Sequence, residues 1–412
     1  MLKRTITDES KKLLLFQAVI LFVIFIVFLS ETHADSFVPQ SDDQVLLTLS
    51  PAVTAIARSV RAQEVNSEFR NSGDSARPDS TSDRATAIAE AYSLATRNND
   101  PRAFGHTLSL INAWPEQQPK PAMVRLIHAS VLQHNHEFTV ALQQLDRVLS
   151  TNPANLQARL IYSQVALVLA DFDVVARQCQ AIEDAGAQIY ALNCAAQLQS
   201  VTGNAEFALS AIEETLLARQ TNSTQQIELL LTAATTAERL GFTDRAERYY
   251  RAVLTMNPQS LFTTLRLSGF LLHQGRPEAA LELLRPYGNN ASDLEAQILL
   301  VRALQNSGEA VSEELLASID AEIESLQRLG NEAPHKLLAQ YYLYITEDFV
   351  AAEHAASLNW SLQKEPGDTL LLASAAVANE QTQAQEAVRN WIAQTGLQDV
   401  RIQSVLSEQE IL

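Results

Sequence analysis

Small and large apolar side chains recur along this chain at an interval far longer than a helical turn. Small residues stand at Ala129, Ser163, Ala196, Ala234 and Ser268, and twelve residues after each comes a second compact position, at Ala141, Val175, Ala208, Ala246 and Ala280. Four residues beyond that lies a larger apolar one: Leu145, Cys179, Ile212, Tyr250 and Leu284. A step of four keeps both on one helix face, and a small side chain on the preceding helix lets a partner helix approach closely. The pattern therefore predicts antiparallel helix pairs repeating every 34, 33, 38 and 34 residues. Pro153 and Pro258 fall where two second helices should end, since proline cannot continue a helix and disfavours one just before it.

Recurrence in register over several units resembles the tetratricopeptide repeat family. That resemblance implies an all-α helical-hairpin solenoid, a right-handed superhelix; an N-terminal hydrophobic signal or anchor helix is expected ahead of it on separate grounds given below. It covers 122–288 well, with looser units at 294–330, 333–366 and 369–395, where Asp348-Phe349 repeats the Asp171-Phe172 and Glu137-Phe138 pattern. Helices near 84–97 and 101–113 complete an N-terminal unit, so the solenoid is expected over 84–397 and a capping helix over 398–412. A second helix near 313–329 is expected to be overlong. Asn99-Asp100-Pro101-Arg102, Trp114 and the His136–Phe138 turn also resemble exported proteobacterial repeat proteins, a likeness that bears on localisation.

Composition agrees with an all-helical body: glycine contributes 12 of 412 residues, against about 7% in ordinary proteins. The formal charge of −18 repels phosphate backbones, so nucleic acid is not an expected partner. Ahead of the body, Lys3, Arg4, Lys11 and Lys12 precede a charge-free run from Leu13 to Leu29, and Thr32-His33-Ala34 follows. This is the grammar of an export signal, either cleaved after Ala34 or kept as an anchor that makes residues 13–29 the one membrane contact. Either way residues 1–34 send the body outward, into the periplasm or onto the inner membrane's outer side. Residues 35–83 read as a largely disordered linker.

The two cysteines, Cys179 and Cys194, fall on neighbouring helices of an exported chain and are expected to form a disulfide. His128, His134 and His136 have poor ligand spacing, and no metal or cofactor is expected. No G-x-S-x-G, H-E-x-x-H or P-loop occurs, and the repeats leave no room for an enzyme domain. What remains is the groove lined by first helices. Its candidate binding residues are Gln133, His134, Gln164, Asn193 and Gln197, followed by Glu228, Glu238, Arg239, His273 and Arg302. Leu167, Thr235, Phe262 and Gln305 share that lining. The expected function is a non-catalytic interaction scaffold of the cell envelope that binds protein partners. The alternative is an envelope enzyme or polysaccharide-handling protein that uses Glu228, Glu238, Arg239 and Arg302.

Overall fold

The computed structural model describes residues 81–98, 101–218, 220–287, 293–328 and 334–407. The segment expected to be an export signal, with its apolar run at 13–29, and nearly all of the expected linker lie outside them. The described residues form helices and connecting turns, with no strand. An opening pair, α1 (Thr81–Asn98) and α2 (Pro101–Asn112), precedes the repeats. Four hairpins follow: α3 (Ala122–His134) with α4 (Phe138–Thr151), α5 (Leu156–Val168) with α6 (Phe172–Asp184), α7 (Gln188–Val201) with α8 (Ala205–Leu217), and α9 (Ser223–Arg239) with α10 (Thr243–Met256). Next come α11 (Leu261–His273) with α12 (Pro277–Leu284) and α13 (Leu294–Ser307) with α14 (Glu313–Gln327). Helix α15 (His335–Tyr341), which runs on into a π-helical turn at Tyr342–Thr346, pairs with α16 (Phe349–Leu362). Last are α17 (Pro366–Ala378), α18 (Thr382–Thr395) and the cap α19 (Val400–Ser407). Helix α14, expected to be overlong, has 15 residues.

The repeat positions read from the sequence are the core. Ala129, Ala141, Leu145, Ala208, Ile212, Ala234, Ala246, Tyr250, Ser268, Ala280 and Leu284 are all 0% exposed. The Asp-Phe pattern also has a physical reason: Asp171 and Asp348 cap α6 and α16 by accepting from the amides of Val174 and Ala351, satisfying a donor that the first turn leaves orphaned. A second clip recurs between the helices of a pair. Arg125 of α3 donates to Gln144 of α4 at 3.2 Å, and Arg159 of α5 donates to Gln178 of α6 at 2.7 Å.

One turn closes every first helix. Its pivot lies in the left-handed region at His136, Ala170, Gly203, Gly241, Gly275, Gly308, Glu347 and Glu380. In seven of the eight, the amide after the pivot donates back to a first-helix carbonyl, as from Glu137 to Leu132, Asp171 to Ala166 and Gln381 to Ala376. This is the 6→1 bond of a Schellman motif. The first helices also touch one another from repeat to repeat, α3 with α5, α5 with α7, α7 with α9 and α11 with α13, whereas second helices do not make comparable contacts with one another. The array therefore curves with its first helices inside.

That curvature brings the end of the chain back onto the turns of the earlier repeats. Lys364 donates its amide to the Val168 carbonyl at 2.9 Å. Trp391 of α18 meets Phe172 at the start of α6, centroids 6.2 Å apart. Gly396 lies so near Gly203 that a Cβ there would sit 3.1 Å from the Gly203 Cα. Val400 covers Gly241, and Arg401 of α19 pairs with Glu238 at the end of α9.

The core itself is divided. One apolar cluster runs from Ala85 to Val168 and a larger one from Ala196 to Leu406. Between them lies a small cluster whose buried members are Ala166, Val175, Cys179, Ile182, Ala191 and Cys194. The expected Cys179–Cys194 disulfide is present at this thin joint and ties α6 to α7 with Cα atoms 5.4 Å apart. Closing its loop should contribute about 3 kcal/mol in the chain-entropy account.

The left-handed pivots generate a prediction. Ala170, at φ 58°, carries a Cβ where glycine would have none, so Ala170→Gly should stabilise the protein by about 1 kcal/mol, net of the added unfolded-state entropy. Chemical denaturation would read this as a higher midpoint at unchanged slope; a lower midpoint would contradict it.

Candidate functional site

The inner face starts at α3 and changes character along its length. Gln133 is half-buried at the end of α3. The neighbouring His134 keeps an exposed edge while its ring stacks on Phe104 of α2, centroids 3.8 Å apart. The surrounding protein disfavours the imidazolium and, with His136 nearby, lowers its pKa to about 4, so His134 is neutral at pH 7. Burial, followed by Lys120, Arg125 and Arg147, likewise lowers His128 to about 4. No cluster of three or more metal-ligating side chains occurs among the described residues.

Across the next three first helices the lining becomes a polar ladder. Gln164 of α5 donates to Gln197 of α7 at 2.6 Å, and the Gln197 amide donates to Thr232 of α9 at 3.4 Å. The Thr232 hydroxyl donates to Asn193 of α7 at 2.8 Å. These four residues form one strip spanning three repeats, in which Gln164 and Gln197 are half-buried at the surface while Thr232 and Asn193, the latter expected to bind, are buried beneath them and hold the strip together. Glu228 lies one turn before Thr232. Burial raises its pKa to about 7, and burial together with the Glu228 charge raises the Tyr190 phenol to about 12.

Beyond the ladder the lining is ionic, and two expected binding residues are already engaged. Arg239 was expected to be a free groove cation, yet it is 5% exposed and donates to the Ser200 hydroxyl at 2.8 Å and the Ser200 carbonyl at 3.3 Å. Burial lowers its pKa to about 10, with Asp399 opposing. Glu238 accepts from the Tyr250 hydroxyl at 2.7 Å and pairs with Arg401, which also grips Asp399 at 2.6 Å. Helix α9 ends in the same register as α5 and α11, five residues past its small position, and its four additional residues extend its start; what sets it apart is that α19 lies against its last turn. The other expected residues remain on the lining. His273 and Gln305 are exposed, and the Arg302 guanidinium lies 3.5 Å from the centroid of the Tyr344 ring.

Sequence reasoning missed a second ionic group. Lys336 of α15 lies 3.5 Å from Asp368 of α17, whose charge raises the lysine pKa. Glu365, one turn before Asp368, exerts the strongest attraction on the half-buried Arg266 of α11. The looser repeat at 333–366 left the register of Lys336 open, and nothing local marks Glu365 as its neighbour.

Charge is sorted between the two helix sets. From α3 onward the first helices carry Arg125, Arg159, Arg239, Arg266, Arg302 and Lys336 against Glu228, Glu238, Glu295 and Asp368. On the second helices acids outnumber bases about three to one, with Glu313, Glu314, Asp320, Glu322 and Glu324 on α14 alone. The net negative charge therefore sits on the outside of the curve, and the inside is near neutral.

Glu228 gives this lining a measurable signature. Its folded pKa of about 7 exceeds the ordinary 4.5, so the folded state holds the proton more tightly between those values. Stability should therefore fall as pH rises through that window. Glu228→Gln should remove this loss, flattening the profile and raising the denaturation midpoint at about pH 8 but not at about pH 5. An identical pH profile in the variant would contradict the assignment.

No protein-family model matches the sequence, and no curated protein matches it. Solved structures do resemble it. One is a tetratricopeptide repeat protein from Parabacteroides merdae, 12% identical over 70% of this chain and 97% of that one, with a TM-score of 0.36. A human IFIT1 dimer with m7Gppp-AAAA is 14% identical over 82% of this chain and 77% of that one, at a TM-score of 0.38. Yeast Tom70 is 11% identical over 88% and 79%, at 0.35. The assignment of this chain to a tetratricopeptide-like helical-hairpin solenoid rests on its own repeat interval, buried register and recurring turn.

Proposed function

We propose that this chain is a non-catalytic interaction scaffold of the cell envelope that receives a protein partner along its inner face. The observation that carries this reading is the half-buried pair Gln164 and Gln197, which the buried Asn193 and Thr232 hold in place across three first helices. Carboxamides both donate and accept, so a strip of them can exchange hydrogen bonds with the main chain of an extended segment without demanding one sequence. Near-neutral lining avoids the desolvation cost of a densely charged groove, while the acidic exterior discourages non-specific association.

A catalytic or polysaccharide-handling groove is less well supported. It would need a convergent pair of ionisable groups beside Glu228. Of the other groups expected for that role, Glu238 and Arg239 are engaged by Tyr250, Arg401 and Ser200, and the Arg302 guanidinium lies over the Tyr344 ring.

Location is the second half of the proposal and rests on the sequence. The basic start, the apolar run at 13–29 and Thr32-His33-Ala34 support a body beyond the membrane, with the signal cleaved or retained. Among the described residues no helix is long and apolar enough to cross a membrane. A C-terminal reporter that is active only after export should be active in the full-length fusion. A cytoplasm-only reporter should be silent, and the reverse pattern would refute the location.

Binding is tested by crosslinked affinity capture from the envelope fraction. Reversing the exposed groove pair, His273→Glu with Gln305→Glu, should lower recovery of the captured partner by about tenfold or more, the loss expected when central contacts are disrupted. Helicity should be unchanged, because exposed substitutions move stability by only about 0.5 kcal/mol. Arg147→Glu with Arg251→Glu on the outer face should leave recovery unchanged. Loss of capture in the outer pair alone would overturn the groove assignment.

A further inference from the structure

From α3 onward the first helices carry four acidic residues, and three of them have a cation supplied from within the molecule. At the seam where α19 returns to α9, Glu238 pairs with Arg401. Asp368 holds Lys336, and Glu295 attracts both Arg266 and Lys336. Glu228 is the fourth. Its backbone carbonyl accepts from the Thr232 hydroxyl at 3.1 Å, but among the described residues its half-buried carboxylate has no hydrogen-bond partner and no cation beside it. Burial alone therefore governs its ionisation and raises its pKa to about 7. A carboxylate kept half-buried and unpaired costs stability, and a cation arriving with a ligand would recover that cost.

The surroundings of Glu228 suit such a cation. Tyr190 stands at the matching position of α7, six residues before the small position, as Glu228 does on α9. It is close enough for the Glu228 charge to act on its phenol, and an aromatic ring beside a carboxylate adds to the attraction for a cation. Both residues share a helix face with the amide strip: Tyr190 lies two turns before Gln197, and Glu228 one turn before Thr232. A chain lying along Gln164 and Gln197 thus passes the carboxylate.

We propose that Glu228, with Tyr190 beside it, receives one cationic side chain, a lysine or an arginine, from an extended partner segment whose main chain follows Gln164 and Gln197. This deepens the scaffold reading and rests on it, and it makes the partner a basic segment. The formal charge of −18 favours the approach of such a segment. Carboxamides reading a main chain accept any register, whereas one charge pair at the end of the strip selects a single register.

The experiment pans a display library of random peptides, a dozen residues long, against the full-length protein at about pH 8, where the Glu228 carboxyl is ionised. Selected peptides should share a lysine or arginine at one fixed position, and panning against Glu228→Gln should lose that preference. For a synthetic selected peptide, replacing the basic residue with norleucine should weaken binding to the wild type by about tenfold. Glu228→Gln should lose about as much for the parent peptide, and the norleucine peptide should bind both proteins equally, as a coupled pair requires. Circular dichroism should be the same for both proteins. Binders that lack a fixed basic residue, or that bind Glu228→Gln as tightly as the wild type, would overturn the cation site and leave the scaffold reading standing. A library that yields no binder at all would count against both.

Discussion

Everything in this molecule follows from the turn that ends each first helix. A helix that stops on a left-handed residue, with the next amide bonded back to its last turn, sends the chain off in a fixed direction. Repeating that geometry at His136, Ala170, Gly203, Gly241, Gly275, Gly308 and Glu380, and the left-handed residue again at Glu347, gives hairpins of one kind. Hairpins of one kind stack with first helices inside, and the accumulated rotation returns α18 and α19 to the earlier turns. Pivot, groove and seam are thus three consequences of one backbone conformation.

The returning chain also shows why several charged side chains on the inner face are unavailable for binding. Arg239, Arg266 and Lys336 each face a residue contributed by the end of the chain, respectively Asp399, Glu365 and Asp368. Burying such groups singly would be costly; Arg239 and Arg266 are matched across distant repeats and Lys336 by the next first helix, which lets a curved array with an acidic exterior have a charged interior. The ladder of neutral amides occupies the stretch where no such pairing occurs.

The repeat was legible in the sequence because it is local. Ala129, Ala141 and Leu145 declare a hairpin by side-chain size alone, and the same sizes recur in the units that follow. The pivots were less legible, since only Gly203, Gly241, Gly275 and Gly308 are glycine, while His136, Ala170, Glu347 and Glu380 accept the strain without a compositional mark. The disulfide could be read because its two cysteines lie on consecutive helices. The seam could not, because Arg401 and Glu238 are 163 residues apart and a single ion pair leaves no periodic trace. Arg239 is engaged from both sides, by Ser200 of the preceding first helix and by the charge of Asp399, and only the first of these lies within the repeat register.

Stiffness in a solenoid is set interface by interface. The buried apolar core of this one is interrupted at the small cluster around Cys179 and Cys194, between the cluster that runs from Ala85 to Val168 and the one from Ala196 to Leu406. A covalent splint lies at that interruption and joins two consecutive repeats. The two larger cores are therefore kept in register by a bond whose strength does not depend on excluding water.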